Sequence, residues 1–135
     1  MPHSLMLKLK SSPCQVAFLQ SYVEKLKCEC QLPQEVHDNI LISLTEAVNN
    51  AIIHGNKADV NKYVKINCED KSSEVIISIS DEGTGFNPGK VSDPTLQENL
   101  ECCGGRGVYI MKELSDTIVF LDDGRTVQMH FNRNR

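Results

Sequence analysis

Three short stretches of the sequence combine side chains that can do chemistry with a spacing that could bring them together. In the first, Asn39, Ser43, Glu46, Asn50 and His54 are separated by four, three, four and four residues. On a helix they form one stripe. Ile40, Leu41, Leu44, Ala47, Val48, Ala51 and Ile52 flank that stripe, so a helix of this sequence is buried over most of its girth. Its polar stripe then faces solvent, a partner or a filled pocket. Burying Glu46 unpaired is costly, so a cation or neutralising ligand beside it would account for the pattern. The plain alternative is the wet face of an amphipathic helix.

The second stretch is Asp81-Glu82-Gly83-Thr84-Gly85. Val75, Ile77, Ile79 and Asp81 share one face of a strand by its period of two, with Ile76, Ser78 and Ser80 on the other. Asp81 therefore continues a core-facing row. An inward carboxylate at a strand end can accept a hydrogen bond from a buried amine, and neighbouring glycines let backbone approach a ligand closely. Asp and Gly are also ordinary turn residues, so this stretch alone is ambiguous. The third is Gly104-Gly105-Arg106-Gly107, ahead of a helix reading Val108–Leu114. Glycines opening a helix expose backbone N–H groups at its positive end, which suits a phosphate, and Arg106 could add charge. The stretch lacks the lysine and hydroxyl pair of a P-loop. It also follows no strand, as a dinucleotide fingerprint should.

The elements that must carry these residues can be read from periodicity. Leu5, Leu7 and Leu9 alternate with Met6, Lys8 and Lys10 as a half-buried strand. Ser12-Pro13 opens a helix that runs to about Cys30. Pro33 opens a second, ending at His54 with Gly55 as a left-handed stop. Strands follow near Tyr63–Glu69 and Glu74–Asp81. Residues 82–107 form a long glycine-rich loop, a length usually reserved for function. After the short helix, strands at Thr117–Leu121 and Thr126–Phe131 flank the turn residues Asp122-Asp123-Gly124. This order implies an α+β two-layer sandwich: a mixed, mostly antiparallel sheet with helices on one face.

The chain has 135 residues, 40% of them hydrophobic, which fits one domain over residues 1–135. A net charge of −4 argues against a nucleic-acid binder, which needs a basic face. No apolar run reaches the roughly 18–20 residues of a membrane span, and the N-terminus lacks a signal-peptide pattern, so a cytoplasmic protein is expected. Its six cysteines should then be reduced. Cys28-Glu29-Cys30 and Cys102-Cys103 do not have zinc-site spacing, and the thiols read as small hydrophobic filler.

Glu46 to Gly55, Asp81 to Gly85 and Gly104 to Val108 occur in order and at sensible intervals. With them the chain resembles the histidine-kinase-like ATPase superfamily, whose ATP-binding domain has the Bergerat fold, over nearly its whole length. Within it, the sequence is most similar to the bacterial anti-sigma factor serine/threonine kinases. The resemblance implies ATP and Mg²⁺ as cofactors, with Asn50 coordinating the Mg²⁺ and Glu46 acting as general base. It implies that Asp81 accepts the adenine amino group, that Gly83 and Gly85 shape the nucleotide wall, and that Gly105, Arg106 and Gly107 meet the phosphates. Thr126 matches a threonine found near adenine in such proteins. Cys102-Cys103 departs from the polar or basic residues expected at the end of the lid, so the γ-phosphate contact has no obvious candidate.

The resemblance further implies phosphorylation of an anti-anti-sigma partner on serine or threonine, and sequestration of a sigma factor. A homodimer, with the edge strand Leu5–Leu9 free to pair, would be usual for such short domains. A non-catalytic, nucleotide-gated binding switch is the alternative. The detached ATP domain of a sensor kinase fits less well, because no helix bearing a phosphoacceptor histidine precedes these motifs. His3, His37 and His130 read as scattered surface or core residues.

Overall fold

A computed structural model describes residues 4–83 and 105–133. Strand β1 (Ser4–Lys10) leads through a 3-10 turn (Pro13–Ala17) into helix α1 (Phe18–Cys30). Helix α2 (Gln34–Asn50) follows and widens into a π turn over Ala51–Gly55. Strands β2 (Tyr63–Asp70) and β3 (Glu74–Ser80) come next, then helix α3 (Gly105–Leu114). Strand β4 (Thr117–Leu121), a 3-10 turn (Asp122–Gly124) and strand β5 (Thr126–Asn132) complete the described chain.

The strands form one five-stranded sheet in the order β1-β2-β3-β5-β4. Every described pairing is antiparallel, so the α+β sandwich holds and the described sheet has no parallel pair. Alternation decides its two faces. Val64, Ile66, Cys68, Val75, Ile77, Ile79, Val127, Met129 and Phe131 are buried in one core with Val36, Ile40, Leu44, Ala47 and Val48 of α2. On β1, Leu9 is buried, while Met6, Lys8 and Lys10 are exposed. The Tyr22 hydroxyl donates to Leu5 O at 2.7 Å and ties α1 to the edge strand. None of the helices in the described residues is long and apolar enough to cross a membrane.

The differences from the sequence reading lie at element ends. The first helix begins as a 3-10 turn, and Ser12 makes no side-chain capping bond to it. The third helix starts at Gly105, so Gly105 and Gly107 belong to its first turn instead of preceding it. Gly55 is not left-handed. The positive-φ residues after α2 are Lys57 (53°) and Ala58 (56°), and the Asn56 N–H reaches Ala51 O at 2.8 Å to close the π turn. Such turns often occur at functional sites. Between β4 and β5, the left-handed residues are Asp122 (φ 54°) and Gly124 (φ 87°).

Helix α2 carries the core, and Leu44 at its centre is fully buried. Leu44→Ala should lower unfolding free energy by about 2–5 kcal/mol, transfer and cavity terms together. Urea unfolding measures this, and a loss well under 1 kcal/mol would mean that the α2–sheet interface is loosely packed.

Candidate functional site

A cleft of about 450 Å³ opens between the end of α2, the start of α3 and the ends of β3 and β5. Its floor is apolar, with Ile79, Val127 and Met111, and its polar wall includes Asn50, His54, Asp81 and Arg125. The polar stripe of α2 divides along the helix. Asn50 and His54 line the cleft, whereas Ser43 is wholly buried and its hydroxyl has no hydrogen-bond partner. Asn39 lies outside the cleft lining.

Glu46 and Asn50 are brought together with α3. A Cβ added to Gly107 would lie 2.8 Å from Asn50 Nδ2 and 3.2 Å from Glu46 Oε2. Any side chain at position 107 would therefore push the Asn50 amide or the Glu46 carboxylate aside. The first turn of α3, whose N–H groups have no partner within the helix and whose end is positive, lies against this carboxylate–amide pair.

Asp81 continues the sheet one residue past β3, its N–H donating to Arg125 O at 2.9 Å. Its Oδ1 accepts the Gly83 N–H at 2.8 Å. Backbone crowds one side of this carboxylate. A Cβ on Gly55 would lie 2.4 Å from the Asp81 carboxylate, and one on Gly83 would lie 1.9 Å from Gly55 O. Gly55 is thus required by the room Asp81 takes, not by its own dihedral angles. Burial holds the Asp81 carboxyl above the usual carboxylate range, partly offset by the Gly83 N–H and by the charges of Arg125 and Lys62.

Of the residues expected from sequence, Asn50 and Asp81 line the cleft, Glu46 meets Gly107, and Gly83 is buried behind Asp81. Gly105 and Arg106 open α3. Gly85, with Gly104 and Cys102-Cys103, lies outside the described residues. Thr126 is not brought to the cleft. It pairs with Ser80 across β3 and β5, and its hydroxyl lies 2.9 Å from both Ser80 Oγ and Asp122 Oδ2. Alternation puts it on the face away from Val127, and the cleft-lining residues are its neighbours Arg125 and Val127. Sequence reading passed over Asn56, which is buried and bonded to three separate segments. A single Asn after Gly looks like a turn residue, and nothing local in the sequence marks it.

In the described residues, no three His, Cys, Asp or Glu side chains could hold a metal ion. A hard cation such as Mg²⁺ would instead combine one or two protein oxygens with the phosphates of a bound ligand. Asn50, on the cleft wall, suits that arrangement.

The raised Asp81 value has a consequence for stability. A carboxyl that titrates higher in the fold than in the unfolded chain stabilises the fold only in acid, and that contribution is lost as pH rises through the folded value. The contribution of Asp81 to the stability of the ligand-free protein should therefore fall as pH climbs from about 4, the ordinary Asp range. Asp81→Asn should remove that part of the slope. Parallel thermal-melting curves for the two proteins from acid to neutral pH would contradict this.

Residues 9–131 match the family described as the histidine kinase-like ATPase domain. The anti-sigma F factors of three Clostridium perfringens strains are 31% identical to this chain over 87 residues. That match spans 59% of this chain and 59% of theirs. Among solved structures, the RsbU and RsbW domains of Rv1364c from Mycobacterium tuberculosis superpose with a TM-score of 0.66. The superposition covers 97% of this chain and 32% of that one, at 14% identity, a likeness of fold. With the cleft, the antiparallel sheet and a match over nearly the whole sequence, the chain belongs to the histidine kinase-like ATPase domain family.

Proposed function

We propose that the chain is an anti-sigma regulatory factor that binds Mg·ATP in this cleft and phosphorylates a serine or threonine of an anti-anti-sigma protein. The observation that carries the reading is the convergence of Glu46 and Asn50 on the first turn of α3, beside a cleft that also holds a half-desolvated Asp81. The residues fit the ligand. An apolar floor of Ile79, Met111 and Val127 accepts a flat base, and Asp81 supplies an acceptor for its amino group. Asn50 offers an amide oxygen for a cation, and α3 offers N–H groups for phosphate oxygens.

When bound, Mg·ATP supplies the phosphoryl group and neutralises the charge on it. The protein's own residues orient and deprotonate. Asp81, pinned by the Gly83 N–H, keeps an acceptor lone pair toward the cleft. Gly107 leaves room for Glu46 and Asn50 to lie side by side against α3. Glu46 takes the proton from the attacking hydroxyl, and Asn50 holds the cation. Gly105 and Arg106, in the same helical turn, add backbone donors.

The sigma factor held back in this reading follows from the likeness to anti-sigma F factors, and the anti-anti-sigma protein as phosphoacceptor follows from the family resemblance of the three motifs. Such a regulator works in the cytoplasm as a single domain. Strand β1 lies at one edge of the sheet, where it is open to pairing in a homodimer.

Glu46→Gln should leave ATP binding intact while phosphate transfer falls about 10²–10⁴-fold, the usual worth of a general base. Asn50→Ala should damage both, because the cation also helps to hold the phosphates. Calorimetry and a phosphotransfer assay on the co-purified partner separate the two. A transfer rate unchanged in Glu46→Gln rules out the base. Nucleotide-dependent partner binding by a wild-type protein that transfers no phosphate would establish a binding switch instead.

A further inference from the structure

Asn56 follows the π turn directly and takes no part in the chemistry above, yet it is only 1% exposed. Its Nδ2 donates to Ser11 Oγ at 2.7 Å and to Tyr63 O at 3.0 Å, and its Oδ1 accepts the Glu82 N–H at 2.7 Å. A carbonyl can only accept and a backbone N–H can only donate, so these partners fix the orientation of the amide. Ser11 follows the last residue of β1, Tyr63 opens β2, and Glu82 lies two residues past β3. One buried side chain therefore joins the ends of three neighbouring strands to the end of α2.

Of these bonds, the one to Glu82 bears on the cleft. Glu82 stands between Asp81 and Gly83, and Asn56 is next to Gly55. The Gly55 segment packs against the Asp81 carboxylate with no room for a side chain between them, while Gly83 donates its N–H to Oδ1 at 2.8 Å. The packing contact of Gly55 is weak and non-directional. A half-buried carboxylate gains solvation by swinging outward, so a directional bond is needed to keep the two segments together. In the described residues, the Asn56–Glu82 bond is the side-chain bond that joins them.

We propose that Asn56 is a positioning residue of the cleft: by bonding the Glu82 N–H it holds the Gly55 and Gly83 segments closed on Asp81, and so sets the carboxylate where it selects a purine with a 6-amino group over one with a 6-oxo group. The inference rests on the reading of Asp81 as the adenine acceptor. A carboxylate accepts from the 6-amino group of adenine and repels the 6-oxo group of guanine, so the position of Asp81 governs the preference for ATP over GTP.

Calorimetric affinities of wild type, Asp81→Asn and Asn56→Ala for Mg·ATP and Mg·GTP test this. Wild type should prefer ATP, and Asp81→Asn should lose the preference. Asn56→Ala should lose roughly tenfold in ATP affinity, about the worth of one well-placed hydrogen bond, with little change for GTP. A role confined to stability would lower the melting temperature and leave the ATP-to-GTP ratio at its wild-type value, and that result overturns the proposal. If Asp81→Asn keeps the preference, the assignment of Asp81 has failed. In that case, or if Asn56→Ala does not fold, hydrogen exchange of the Glu82 amide in the wild-type, nucleotide-free protein decides. Slow exchange, as in the strands, supports the clamp. Exchange at the rate of an open loop overturns it.

Discussion

The site depends on a carboxylate crowded on one side by backbone and open to the cleft on the other. Asp81 sits where an added carbon on Gly55 would overlap it, and Gly83 fits only because it too lacks a side chain. Its one bond from Gly83 does not recover the solvation lost on burial, so its affinity for a proton rises. In the proposed reading, a carboxylate kept in that condition is held ready for a hydrogen-bond donor that arrives with a ligand. Functional sites commonly hold strain or desolvation of this kind, which the surrounding structure must sustain.

Sustaining it falls to α2 and the sheet. Ile40, Leu44 and Val48 are fully buried against Ile66, Ile77 and Met129, which fixes the helix relative to β3. Once the helix is fixed, Asn50 and Gly55, on successive turns at its end, come to stand beside the cleft and Asp81. The π turn over Ala51–Gly55 lets the chain leave the helix while Gly55 still meets Asp81, and the buried amide of Asn56 locks that exit to the strands. At the other end, the bare Cα of Gly107 brings α3 against Glu46 and Asn50. Packing, helix exit and glycine placement act on the same few atoms.

Much of this could be read from residue order. Period-two alternation located β1 and β3 and placed Asp81 at the end of a core-facing row, because one face of the sheet is dry, while turn residues marked off the other strands. The spacing of Glu46 and Asn50 placed both on one side of α2. What could not be read depends on contacts distant in sequence. Gly55 looked like a helix stop, a local role, but the reason for it is Asp81, 26 residues later. Asn56 drew no reading from the sequence, because its partners lie on three other segments. Thr126 was expected in the site by family likeness. The alternation that buries Val127, Met129 and Phe131 already put it on the opposite face, beside Ser80.

The most direct test is a crystal structure with Mg²⁺ and a non-hydrolysable ATP analogue. The expected result has the adenine amino group within hydrogen-bonding distance of the Asp81 carboxylate, and the phosphates and cation beside Asn50 and the first turn of α3. A nucleotide lying outside the cleft, or reversed with its phosphates at Asp81, would contradict it.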